Sequence, residues 1–220
     1  MKKRTLLLPL LLYLAACSTA SEERTTWLAE LYVRYLVPES QIKAEATFMA
    51  GDSVATARPL ALSGDVRFNS HVMGRRQVAD KLIRYNYENV GPQPDTVAFA
   101  WPHPFRDHTL ELRRPMPRID SFRLSANGEA LQLALAPPLQ PDEQVVVMLL
   151  DSLQRATSLT VVGPQPASFA LRTGANDKGV PQATPRQYYL VRKNIRIEQI
   201  EDGRVTLILE TYSELKDLSQ

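Results

Sequence analysis

The feature that most constrains this chain is a two-residue hydrophobic period, recurring along most of its length and cut at short intervals by turn residues. Ile42, Ala44, Ala46 and Phe48 alternate with Lys43, Glu45 and Thr47, and Gly51-Asp52 closes the run. Ile83, Tyr85 and Tyr87 alternate with Arg84, Asn86 and Glu88, and Val97, Phe99 and Trp101 repeat the pattern before Pro102-His103-Pro104. Leu131, Leu133 and Leu135, and later Val205, Leu207 and Leu209, carry it through the second half. Successive side chains of a strand point to opposite faces, so these runs predict half-buried antiparallel strands. The 220 residues include 16 Pro and nine Gly, which suits short strands joined by Pro-punctuated loops better than a helical bundle.

Read in order, the chain predicts a strand from about Leu31, preceded at most by one helical turn, because Trp27, Leu28, Leu31, Tyr32 and Tyr35 also fall at helical spacing. Gly74 to Asp80 reads as a helical turn. Arg114-Pro115-Met116-Pro117-Arg118 removes two amide donors within three residues, and marks the expected domain boundary. Asn127-Gly128 predicts one tight hairpin and Asp202-Gly203 another, because a two-residue turn needs positive φ angles that Asn, Asp and Gly tolerate. The run Gly174 to Arg186 reads as a long loop. The expected architecture is all-β, an antiparallel β-sandwich in two units: 31–118 and 119–213, with 214–220 as a frayed tail; one larger sandwich in which the Pro pair marks a bend is the alternative.

Residues 1–16 have another character. Lys2, Lys3 and Arg4 precede an apolar run from Leu6 to Leu12, and Leu14-Ala15-Ala16-Cys17 follows: the charged start, short apolar core and small-residue end of a secretory signal. The stretch is too short for a spanning helix. Leu14-Ala15-Ala16-Cys17 resembles the lipobox of bacterial lipoproteins, a resemblance that implies acylation of Cys17 and cleavage just before it. It implies a cell-envelope location, anchored by lipid, most consistent with the outer membrane. Residues 17–30 then read as a lipid-anchored tether whose small polar part runs from Ser18 to about Thr26. The segment Ile119 to Val162 is similar to immunoglobulin-like modules of bacterial surface proteins, through Asn127-Gly128 and Pro137-Pro138-Leu139-Gln140-Pro141-Asp142-Glu143 before a Val-rich strand. In its plan of lipobox, tether and plain all-β ectodomain, the whole chain resembles lipoproteins of Bacteroidetes-type bacteria, which lend a location and no activity.

Cleavage before Cys17 changes the charge. Lys+Arg falls from 26 to 23 against 24 Asp+Glu, so the formal +2 of the precursor becomes −1. No basic excess points to nucleic acid. Cys17 is the sole Cys, so with it acylated no disulfide or Cys-ligated metal is expected, and no cofactor.

Residues that carry chemistry are sparse. His103 and His108, with Asp107 between them, are the one place where metal-type side chains gather, but five residues apart in a Pro-rich loop they read as solvated histidines and nominate no metal site. His71 lies elsewhere, alone. There is no nucleophile elbow, phosphate loop or dinucleotide fingerprint, so no catalytic residue is assigned and a non-enzymatic role is expected. Tyr85, Tyr87, Phe99 and Trp101 read as core. Tyr188-Tyr189 is the candidate ligand-contact pair, since adjacent strand residues face opposite ways. Arg75-Arg76, the 113–118 group and Arg192-Lys193 read as solvated edges that protect exposed strands. The leading expectation is a membrane-anchored binding or scaffold module with a protein or glycan partner. A carbohydrate-binding accessory module and a hydrolase with a dispersed site are the alternatives.

Cys17→Ser is expected to abolish metabolic fatty-acid labelling and to move the protein from the membrane to the soluble fraction; equal labelling of the variant would place the anchor elsewhere.

Overall fold

The computed structural model describes residues 26–78, 82–127, 130–163, 168–170 and 186–218. The signal and lipobox, most of the tether, Gly128 of the expected Asn127-Gly128 turn, and all but the last residue of the 174–186 loop lie outside the described residues. Every regular element among the described residues is a strand. The first half holds β1 (Trp27–Leu36), β2 (Gln41–Ala50), β3 (Arg58–Pro59), β4 (Arg67–Phe68), β5 (His71–Val72), β6 (Gly74–Gln77), β7 (Ile83–Val90), β8 (Thr96–Pro102) and β9 (Thr109–Pro115). The second half holds β10 (Ser121–Asn127), β11 (Ala130–Ala136), β12 (Glu143–Leu150), β13 (Ala156–Val162), β14 (Ser168–Ala170), β15 (Gln187–Ile200), β16 (Gly203–Tyr212) and β17 (Lys216–Asp217).

The strands form three sheets. A ten-stranded sheet runs in the order β13-β12-β15-β16-β1-β2-β7-β6, with β17 beside β15 and β3 beside β2. A four-stranded sheet (β5-β4-β8-β9) and a three-stranded sheet (β10-β11-β14) complete the fold. Phe68, Val97, Phe99, Trp101, Leu110 and Leu112 of the four-stranded sheet share one core with Leu31, Val33, Ala46, Phe48, Val205, Leu207 and Leu209 of the long sheet. Phe122, Leu124 and Leu133 share a second core with Val145, Val147, Leu149, Tyr188 and Leu190. Both small sheets lie on the same side of the long one, because Tyr188 and Leu190 in the second core and Ile200 against the first are all even-numbered residues of β15. Each core contains a tyrosine whose hydroxyl accepts a hydrogen bond from a backbone N–H: Tyr85 from Leu62, in the β3–β4 connection, at 3.1 Å, and Tyr188 from Leu124, in the facing sheet, at 3.0 Å.

Several elements differ from expectation. β1 starts at Trp27, within the expected tether, and Trp27, Leu28 and Ala29 are buried. A helix would have to satisfy its own backbone, whereas here β16 on one side and β2 on the other supply a full ladder: Trp27 pairs with Gly203 and with Ala50. Gly74–Gln77 is a strand, not a helical turn, because β7 offers an edge to pair with, from Gly74↔Asn86 to Gln77↔Ile83. The segment 119–213 does not close on itself. β16 pairs in parallel with β1, and its Val205, Leu207 and Leu209 fill the first core, so the C-terminal hairpin joins both layers.

The Asp202-Gly203 turn is shifted by one residue. Ile200 pairs with Gly203, which leaves Glu201-Asp202 as the tip, with Glu201 at φ 53° supplying the positive angle. Gly203 is the first residue of β16, and a Cβ there would sit 1.9 Å from Cε2 of the Trp27 indole. Gly203 is therefore required by close approach and not by φ. Trp27 is fully buried and has nowhere to go. Gly203→Ala is expected to destabilise by about 2–3 kcal/mol through overpacking, read by denaturant unfolding; an unchanged midpoint would refute the contact.

Candidate functional site

The densest cluster of polar chemistry lies at the end of the first sandwich where β1 begins. Pro102 ends β8, and the loop to β9 is closed by the His103 N–H donating to the His108 carbonyl at 2.6 Å. That closure turns the His103 ring inward, where its side chain has no exposure, edge-on to Trp27 with centroids 6.1 Å apart. The Phe105 N–H donates to His103 Nδ1 at 3.0 Å. A ring nitrogen that accepts an amide bond carries no proton, so in the neutral ring Nε2 is the donor. Nε2 faces Asp202 Oδ1 at 3.1 Å and Glu201 Oε2 at 3.2 Å, the two residues of the β15–β16 tip. Asp202 Oδ1 also accepts from Trp27 Nε1 at 3.0 Å. Glu201 is held further by His108 Nε2 at 3.0 Å and Arg106 at 3.3 Å, and the two imidazoles stack with centroids 4.8 Å apart.

His103, His108 and Glu201 offer ligand atoms within 4.8 Å of one another, a spacing a metal ion can span. The donor set does not fit one. A metal-binding imidazole needs a lone pair on the ligating nitrogen and turns its other N–H toward an acceptor, whereas His103 Nδ1 meets an N–H. The same commitment of both nitrogens leaves His103 none with which to act as a general base. The cluster is a hydrogen-bonded lock joining β1, the β8–β9 loop and the β15–β16 tip. Asp107 is exposed and outside the group. The reading of His103 as a solvated loop residue is corrected by its burial.

Burial acts to raise the Asp202 carboxyl, but the hydrogen bonds from Trp27 and His103 outweigh it and hold the group below the ordinary carboxylate range.

The opposite face of the long sheet is covered by neither small sheet. Lys193, Glu210, Arg34, Lys43 and Glu88 lie in cross-strand register there, alternating in sign except at Arg34-Lys43. Glu210 sits 2.9 Å from Lys193 and accepts from the Tyr32 and Tyr212 hydroxyls at 2.7 and 2.9 Å. Its burial would raise its pKa, and these three partners bring it below the usual range. Tyr32, desolvated and donating to that carboxylate, is raised far above an ordinary phenol.

Of the tyrosine pair, Tyr188 is 3% exposed inside the second core, which removes it as a ligand contact; Tyr189, half-buried opposite Met148, stands on the uncovered face. Tyr85, Phe99 and Trp101 are core, and Tyr87 packs against it with His71 stacked on its ring at 5.4 Å. Arg75 and Arg76 are exposed on the edge strand β6. Arg192, expected at a solvated edge, is instead 2% exposed. Cys17 lies outside the described residues.

No protein-family model matches this chain, and no curated protein is similar to it.

Because Asp202 is lowered in the folded state, its contribution to stability is full above the unfolded carboxylate range and is lost as pH falls through the folded value. The parent protein is therefore expected to lose more stability than Asp202→Asn between pH 5 and the acid limit. Parallel acid losses in urea titrations would contradict this.

Proposed function

We propose that this chain is a lipid-anchored component of a bacterial cell envelope, most consistent with the outer membrane, and that it acts by binding or scaffolding rather than by catalysis. The observation that carries the reading is β15. Its 14 residues run through both sandwiches: Gln187 to Asn194 pair with β12 in the second, and Val191 to Ile200 pair with β16 in the first. At roughly 3.3 Å per residue it is a rod about 45 Å long. Trp27 and Ile200 share one end of the first sandwich, and the second sandwich lies at the other end of that rod. A chain attached through Cys17 would hold its second sandwich away from the lipid on a continuous sheet rather than on a flexible linker. A rigid standoff suits presentation to a protein or glycan partner.

The turn after β12 marks the far tip, because Leu150 pairs with Gln187 at the start of β15. Leu153 in that turn is 68% exposed. A photo-crosslinking residue at Leu153 in living cells is expected to give discrete adducts, whereas the same residue at Arg204, beside the anchored end, gives none of the same mass. A lipidated, membrane-bound protein without adducts from the tip would defeat the presentation role.

A further inference from the structure

We propose that the Trp27 end of the first sandwich rests directly on the lipid surface, with Phe105 and Val54 as its apolar contacts. The inference deepens the anchoring reading and rests on it.

Ten residue steps separate Cys17 from Trp27. Ten backbone steps span at most about 36 Å, whatever path they take. β1, ten residues long, spans about 33 Å. The anchor proposed at Cys17 therefore lies within about 36 Å of Trp27, and the end of the sandwich that carries Trp27 is the end nearest to it along the chain. Two loops at this end present large apolar side chains to solvent. Loop 51–57 begins where the Gly51 N–H donates to the Thr26 carbonyl at 2.8 Å, beside the entry of the chain, and carries Val54 at 68% exposure. The β8–β9 loop carries Phe105 at 42% exposure.

Phe105 is held out rather than left out. Its own amide is bonded to the buried His103 ring, and its neighbours Arg106 and His108 are both fastened to Glu201. An aromatic ring fixed at a loop apex loses little conformational entropy on entering an interface. The same lock answers the electrostatic objection. Glu201 and Asp202 would oppose contact with an anionic surface, but Arg106, both imidazoles and the Trp27 indole already satisfy them. Two side chains of this size give weak affinity alone, which matters little next to an acyl anchor that supplies a high local concentration.

The test uses the full lipidated chain in vesicles of phosphatidylethanolamine and phosphatidylglycerol with brominated acyl chains. Phe105→Trp and Val54→Trp add reporters at the proposed contact, and Ile197→Trp, on the uncovered sheet face at 69% exposure, serves as the control. The native Trp27 and Trp101 are fully buried, and the parent emission is subtracted. The first two reporters are expected to be quenched about two-fold and shifted to the blue, with the control unchanged. Flotation of the variants with vesicles and no quenching at Phe105→Trp or Val54→Trp overturns this inference and leaves the anchor standing. Quenching of the Ile197→Trp control as strong as theirs also overturns it, since the sheet face would then touch lipid. Failure of the parent to float overturns the anchoring reading and this inference together.

Discussion

Where the two sandwiches meet on the sheet they share, a charge is buried and completely satisfied. Arg192 sits in the middle of β15 with 2% of its surface exposed. Its guanidinium has five donor hydrogens, and each has an acceptor. Nε and one terminal nitrogen reach Glu143 Oε2, the other terminal nitrogen reaches the carbonyls of Arg118 and Pro137 at 2.8 and 2.7 Å, and the Pro138 carbonyl takes the fifth at 2.9 Å. Three acceptors come from two Pro-containing connections, β9 to β10 and β11 to β12, where prolines interrupt regular pairing. Removing a partner from such a group leaves the rest buried and unpaired, at a typical cost of 3–5 kcal/mol. An apolar residue would pack there, but could not satisfy three backbone carbonyls that have lost their sheet partners.

That junction explains why the Pro-rich segment after β9 is ordered rather than a hinge. Met116 is buried in the first core, the Pro117 carbonyl accepts from Thr211 Oγ1 at 2.6 Å, and Arg114 is bonded to Glu198 at 2.8 Å. Prolines removed the donors, and side chains from β15 and β16 restored the bonding of the carbonyls. The connection between layers is therefore fixed to the same two strands that run through both, and the two cores are coupled by covalent continuity, ladder and side chain at once.

What was legible in the sequence follows a simple division. Residues whose environment is set by local alternation, such as Ile42 to Phe48 or Val205 to Leu209, face where the two-residue period says they must, because one side of a strand is always core. Residues whose environment is set by a distant partner are not legible that way. Trp27 looked like part of the tether, or of one helical turn before the first strand, until β16, 176 residues on, is laid beside it. Gly203 looked like a turn residue, but the turn lies one residue earlier, at Glu201-Asp202, and the glycine is demanded by the Trp27 ring rather than by φ. His103 looked solvated because its partners Glu201 and Asp202 are about 100 residues away, and the only local hint was a Glu-Asp pair before that glycine. Arg192 looked like an edge cation for the same reason, its acceptors being Glu143, 49 residues away, and three carbonyls no sequence pattern displays.

The parallel pairing of β1 with β16 has a mechanical consequence under the proposed anchoring of the chain through Cys17. A pull applied through the tether acts along β1 from Trp27, while the resistance of a partner on the second sandwich would act at the far end of β15. Load then runs along the strands, so the ten-residue ladders on the two sides of β1, Trp27↔Gly203 to Leu36↔Tyr212 and Trp27↔Ala50 to Leu36↔Gln41, share it together rather than opening one pair at a time. The first pair in each ladder is the one most exposed to fraying, and the lock is built around it: the Trp27 indole donates to Asp202 at 3.0 Å, Asp202 faces His103, and the Gly51 N–H bonds to Thr26. Placing the most heavily cross-bonded cluster at the point where the chain enters the fold raises the energy needed to start opening β1, which is where a tethered sandwich is weakest.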